Sequence, residues 1–219
     1  MSPGAKLPSL SAALAGVPAG VQRLGPWAGR RQLSVRFADE AETATIYTAA
    51  GLCSEIARLT ARSRYHSITI AGRDPLGEVE FLDVAFAGAR ALPVMLDHDG
   101  QRPDALAGLL RRLDLVQVRL DGTEREGTLE RAIETLRRAG DAKVSHALVI
   151  VPADGVTDAQ LLRVVTEAHG ASEGVAVLLH PSVESDRAQG RRWTVWLEQA
   201  SAVHGDVRLL PVAVTAPRL

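Results

Sequence analysis

From Leu33 onward, short runs rich in Val, Ile and Leu alternate with segments of helical periodicity, each strand–helix unit taking roughly 22 to 30 residues. This alternation constrains the fold more than any other feature of the chain. A crossover helix joins two parallel strands, so a series of such units predicts a parallel sheet whose strands are buried on both faces. The predicted strands are residues 33–37, 66–71, 92–96, 115–120, 144–151, 174–179 and 207–210. The predicted helices cover 48–61, 78–88, a segment beginning near Pro103 and Asp104, 123–139, 157–168 and 186–203. Leu52, Ile56 and Leu59 share one side of the first helix; Leu129, Ile133 and Leu136 share one side of the fourth, where Gly140 is the expected stop. Thr157 reads as an N-cap.

Periodicity leaves two α/β architectures open, a doubly wound open sheet and an incomplete (β/α) barrel. Both bind ligands at the C-terminal ends of the strands. That rule selects Asp39 and Glu40; Gly72, Arg73 and Asp74; Asp97, His98 and Asp99; Asp121; Asp154; and His180 with Ser182. The most distinctive of these ends lies in residues 67–76, SITIAGRDPL, a β-rich run that stops on a Gly-Arg-Asp-Pro turn and enters a helix. Asp97, His98 and Asp99 are donor types that a divalent metal uses, with Asp74, Asp121 or His180 as neighbours, an arrangement suited to a hydrolase or lyase. The same Asp and Gly residues also build ordinary turns, and this is the favoured reading. His180 before Pro181 suits either a hydrogen bond to a planar base or a strand terminus. His66, His146, His169 and His204 fall at strand starts, a strand interior or helix ends, where no chemistry is assigned to them. Trp193 and Trp196, three residues apart on the last helix, fit core or interface packing.

The 219 residues suffice for one well-filled domain, expected over 33–219 after an irregular N-terminal segment over 1–32. A formal charge of -1 gives no global field to draw in nucleic acid or an anionic membrane, so neither is an expected partner. No apolar run approaches the roughly 18 residues of a membrane span. Cys53 is the single cysteine, which removes disulfides and Cys-rich metal sites within the chain and suits a cytoplasmic location. Its helical setting predicts a small buried thiol.

The strand-end motifs resemble those of the radical S-adenosylmethionine superfamily, and within it the 7-carboxy-7-deazaguanine synthase family of the queuosine precursor pathway. Residues 68–76 resemble that superfamily's glycine-rich S-adenosylmethionine loop, and Leu96-Asp97-His98-Asp99-Gly100 its later acid-Thr-Asn-Gly strand end. Leu113-Asp114-Leu115-Val116, Val151-Pro152 with Gly155-Val156-Thr157-Asp158, and Leu178-Leu179-His180-Pro181 resemble three further strand-end motifs. The stretch 196–211 is similar to the deazaguanine branch in particular. The resemblance covers most of the chain and implies a parallel (β/α)6-type partial TIM barrel.

It also implies a site that this chain lacks. The family's C-x3-C-x2-C motif would fall at Trp27, Arg31 and Ser34 counting forward from Arg23-Leu24, or at Arg31, Val35 and Ala38 counting back from Asp39; neither register contains a cysteine. Arg73 stands where the family has a second loop glycine, Asp74 where it has glutamate, and Asp121 where a lysine is expected. The stretch Pro211-Val212-Ala213-Val214-Thr215 replaces a polar C-terminal motif. These departures imply a degenerate, non-catalytic member, acting as a scaffold, ligand sensor or regulatory partner. Gly72, Arg73 and Asp74 would be the remnant S-adenosylmethionine loop, and Asp97, His98, Asp99, Asp121 and His180 the substrate side. No catalytic or metal-ligating residue is assigned. No bound cofactor is expected: a 4Fe–4S cluster is unsupported, and S-adenosylmethionine is the residual candidate. The implied partner is a second copy or a complete paralogue, with a small-molecule ligand as a further candidate. The alternative is a divergent enzyme, either a radical lyase of the deazaguanine pathway if a cluster is assembled or a metal-dependent hydrolase or lyase.

Overall fold

The computed structural model describes residues 10–88, 91–181 and 183–210, without the side chains of 183–189. The chain begins with strands β1 (Ser11–Gly16), β2 (Ala19–Val21), β3 (Arg31–Phe37) and β4 (Thr45–Thr48). Next come α1 (Ala49–Arg62), β5 (Ser67–Gly72), α2 (Val79–Ala85), β6 (Val94–His98) and α3 (Pro103–Leu106). The remainder is β7 (Leu115–Leu120), α4 (Glu126–Asp141), β8 (Ser145–Ile150), α5 (Asp158–Ala171), β9 (Ala176–Leu179), α6 (Val183–Val203) and β10 (Val207–Leu209).

The seven strands read from periodicity are β3 and β5 to β10. They pair in parallel and in sequential order, β3-β5-β6-β7-β8-β9-β10, with no reversal along the path. Long-range pairing adds three antiparallel strands: β1 pairs with β3 and β4, and β2 with β3. Residues 11–16 and 19–21 therefore correct the expectation of an irregular segment over 1–32. Apart from Leu14 and Val21 they consist of Ala, Gly and Ser on either side of Pro18, with weak intrinsic strand preference, and the neighbouring β3 supplies the ladder that holds them extended.

Local signals fix the helix ends. The Thr48 hydroxyl accepts from the Gly51 N–H at 3.0 Å, and Thr157 with Gln160 forms a reciprocal capping box at the start of α5. Gly140 is not the stop of α4. That helix runs to Asp141 and closes on Lys143, which takes the left-handed conformation (φ 57°) while the Val144 N–H donates to the Ala139 carbonyl. Gly140 instead makes room: a Cβ there would lie 2.8 Å from the Ser172 hydroxyl.

All the helices pack on one face of the sheet. Leu33, Val35, Ile68, Ile70, Val94, Leu96 and Val116 meet Leu52, Phe81, Leu82 and Leu106 in one cluster. Val118, Leu120, Leu148, Ile150, Val177 and Leu179 meet Leu129, Leu136, Leu161, Val165 and Trp196 in the next. The opposite face carries Met95, Leu115, Ala147, Val149 and Leu178, packed against Leu24 and Trp27 of the loop between β2 and β3. Trp193 and Trp196 are 3% and 1% exposed, which makes them core rather than interface residues. No described helix is long and apolar enough to cross a membrane.

Candidate functional site

The Gly-Arg-Asp turn lies at the end of β5. Gly72 has φ 103°, and a Cβ there would lie 2.2 Å from the Phe37 carbonyl oxygen, so β3 and β5 approach too closely at this end for any side chain. The glycine thus serves strand packing. Arg73 is exposed and pairs with Glu40 at 2.5 Å, and Asp74, left-handed at φ 44°, pairs with Arg102. Both charged groups of the turn are matched within the chain.

At the end of β6, strand alternation separates residues that are adjacent in sequence. Asp97 projects to the face away from the helices, where its Oδ1 accepts from Gln117 Nε2 at 3.0 Å and pairs with Arg119 Nε at 2.9 Å. Burial pushes its carboxyl above the usual range, against the opposing pull of Arg119 and Gln117. His98 projects to the helical face, where its Nδ1 accepts from the Gly100 N–H at 3.2 Å and burial lowers it to about 4. Asp99 is exposed and holds the Gln101 N–H at 3.0 Å in a turn. Asp97 and His98 cannot share one metal ion from opposite faces, and among the described residues no three His, Cys, Asp or Glu side chains are grouped to hold one.

The other strand ends are mostly turns. Asp121 accepts from both the N–H and the hydroxyl of Thr123, and these donors outweigh burial to hold its carboxyl below its ordinary value. The Asp39 N–H donates to Glu42, and Asp154 is exposed. His180, 9% exposed, has a lowered pKa from burial, and its Nδ1 has no partner among the described residues. Ser182 and residues 211–215 lie outside the described residues.

What the strand-end rule missed is the polar half of the second face. Gln32 Nε2 donates to Gln22 Oε1 at 2.5 Å, the Thr69 hydroxyl donates to Gln32 Oε1, and Gln22 Nε2 reaches the Leu24 carbonyl at 2.6 Å. Gln117 is fully buried, its Oε1 unpartnered among the described residues beneath Gly25, whose Cβ, if present, would lie 1.6 Å from it. The loop spanning 22–30 folds back on itself through Gly29 N–H to Gln22 O and Ala28 N–H to Gly25 O, and Trp27 sets its ring edge-on to His66 at 5.2 Å. The signal was present in the strands: Gln32, Ser34 and Arg36, then Ser67 and Thr69, then Gln117 and Arg119 recur at every second position between apolar residues.

The positions at which a cluster would be ligated offer no suitable donors. Arg31, Ser34 and Val35 lie on β3, Val35 fully buried in the helical core, while Trp27 lies in the covering loop. Cys53 belongs to α1, in the helical layer, where its thiol donates to the Ala85 carbonyl at 2.7 Å. It is exposed rather than buried, and the adjacent Leu52 takes the core position. A three-thiolate iron–sulfur site does not fit this chain. Comparison with models of known protein families and with characterised proteins gave no match.

Proposed function

We propose that this chain is a relative of the radical S-adenosylmethionine enzymes, nearest to 7-carboxy-7-deazaguanine synthase and non-catalytic at the radical-enzyme site, serving as a cytoplasmic scaffold, ligand sensor or regulatory partner. One observation carries the reading. The 22–30 loop seats Leu24 and Trp27 among Met95, Leu115, Ala147, Val149 and Leu178, on the face where an enzyme of that kind would need open space for cofactor and substrate. The ion pairs Arg73–Glu40 and Arg102–Asp74 support the same view, since the remnant cofactor loop directs its charges at the protein itself.

A (β/α) partial barrel is the architecture we infer. Sequential strand order with all helices on one face is the topology of a sheet that curls on itself, whereas a doubly wound sheet reverses its order and carries helices on both faces. Near-complete burial of Ser67, Thr69, Met95 and Gln117 on the other face, under a single short loop, is what such curling would produce. A second copy or a cluster-bearing paralogue is the partner we infer; β4 ends the sheet path and presents Ile46 at 69% exposure beside its open edge.

The test is anaerobic reconstitution with iron and sulfide, with iron content and the visible spectrum as readouts. The expected result is no stoichiometric cluster; a brown protein that cleaves S-adenosylmethionine would overturn the proposal. Sizing chromatography and a pull-down with a paralogue test the partner, and a monomer that captures none would remove that part.

A further inference from the structure

At the opposite end of the sheet, His146 on β8 and Ser172 at the end of α5 form a second polar centre. His146 is 8% exposed; its Nδ1 lies 2.9 Å from the Val144 carbonyl oxygen and its Nε2 2.8 Å from the Ser172 hydroxyl. A carbonyl oxygen only accepts, so Nδ1 carries a proton, and in the neutral ring Nε2 then presents its lone pair. The serine hydroxyl therefore donates to Nε2. This is the arrangement of an activated nucleophile: a hydroxyl bonded to a base that a third group holds in one tautomer.

The surroundings preserve it. A Cβ at Gly140 would lie 2.8 Å from the Ser172 hydroxyl and 3.3 Å from His146 Cε1, while one at Gly174 would reach only 3.9 Å from the hydroxyl, and one at Gly170 would meet nothing within 4 Å. Gly140 thus lets the hydroxyl lie close against α4 where a side chain would collide, and Ser172 itself is half-buried rather than sealed. A glycine inside α4 weakens the helix relative to alanine, and the clearance that the dyad needs accounts for its presence there.

We propose that Ser172 is a nucleophile activated by His146, able to accept the acyl group of a small activated ester and pass it to water. The hydroxyl oxygen attacks the ester carbonyl as its proton moves to His146 Nε2. The collapsing adduct expels the alcohol, which takes that proton, and leaves Ser172 acylated. Water then attacks the acyl carbon, giving one proton to Nε2, and the serine oxygen recovers it as the carboxylic acid departs. The Val144 carbonyl stands where a carboxylate usually orients the histidine.

A fluorophosphonate probe tests this on the full chain, read by intact mass and peptide mapping. The expected outcome is one adduct, on Ser172, absent in Ser172→Ala and formed roughly 10²-fold more slowly in His146→Gln. Gly140→Ala, which crowds the hydroxyl, should also slow it, with unchanged circular dichroism showing that each variant is folded. No adduct on the wild-type protein, an adduct that persists in Ser172→Ala, or equal rates in folded His146→Gln would each overturn the proposal. None of these readouts involves the strand-end site, so the two readings fail separately.

Discussion

The two faces of the central sheet are built from the same strands yet stabilised in different ways. The helical face is apolar along its middle, with His98 and His146 at its two ends, and interlocks with amphipathic helices, its side chains reaching zero exposure at Leu33, Val35, Ile70, Leu96 and Leu148. The other face mixes Met95, Val149 and Leu178 with Gln32, Thr69, Asp97, Gln117 and Arg119, and is covered by a loop. Non-directional burial suffices on the first. On the second, each buried polar atom needs a partner, and Gln117 Oε1 lacks one among the described residues. The difference teaches how function can reside on each: the helical face holds its polar groups at isolated points, His98 at one end of the strands and His146 with Ser172 at the other, while the face closed by a short loop carries a connected polar network.

Trp196→Ala should produce the largest effect. It removes a ring 1% exposed together with its N–H bond to Asp158 at 2.6 Å, and should cost about 3–5 kcal/mol in urea unfolding. A loss below about 1 kcal/mol would mean that the helical face is not the main source of stability.

His98 sharpens the contrast through pH. Its folded value of about 4 lies below the ordinary 6.5, so between these values the unfolded chain binds more protons and stability falls on acidification. The contribution is fully present above 6.5, reaches at most roughly 3 kcal/mol, and is lost as pH falls through 4. His66 and His180, also lowered by burial, act in the same direction. Stability curves of wild type and His98→Asn should therefore converge on acidification, and parallel curves would refute the burial account.

Gly25→Ala probes the loop. The new methyl group meets Gln117 at a residue whose φ is 86°, and about 1–3 kcal/mol should be lost, with faster amide exchange over 22–30. Gln117→Ala in the same chain should recover part of that loss. Unchanged exchange in Gly25→Ala would show that the loop is not seated on this face.

Asp97 should give the smallest effect, with the opposite pH sense to His98. Its folded value is raised above 3.8 by burial, so the folded chain binds more protons and stability declines as pH rises through that window. Asp97→Asn should therefore gain on wild type as pH rises from about 3.8, offset by the loss of the Arg119 pair. A variant that instead loses stability relative to wild type as pH rises would reverse the assignment.

The α/β alternation, the seven parallel strands and the capping of α5 were legible because periodicity and caps are local properties. Residues 115–120 matched β7 end to end, and 48–61 matched α1 within one residue at each end. The site was legible only in part. The strand-end rule pointed to Asp97, which is buried against Gln117 and Arg119, but it grouped His98 and Asp99 with it, because adjacency in sequence ignores the half-turn between successive side chains in a strand. Gln117 and Arg119 were visible as polar residues at alternate positions, yet what they face depends on a loop some 90 residues earlier in the chain.

The sequence by itself determined the order of strands and helices, the absence of three thiolates for a cluster, and the single formal charge of the whole chain. Only the tertiary structure decided that β1, β2 and β4 join the sheet, that Gly72 and Gly140 serve clearance rather than ligand or cap, and that Ser172 meets His146. The physical reason is range. Hydrophobic periodicity, caps and ligand counts are set within a turn or two of chain, whereas ladders, close approaches and dyads arise between segments that are brought together only by burying the core.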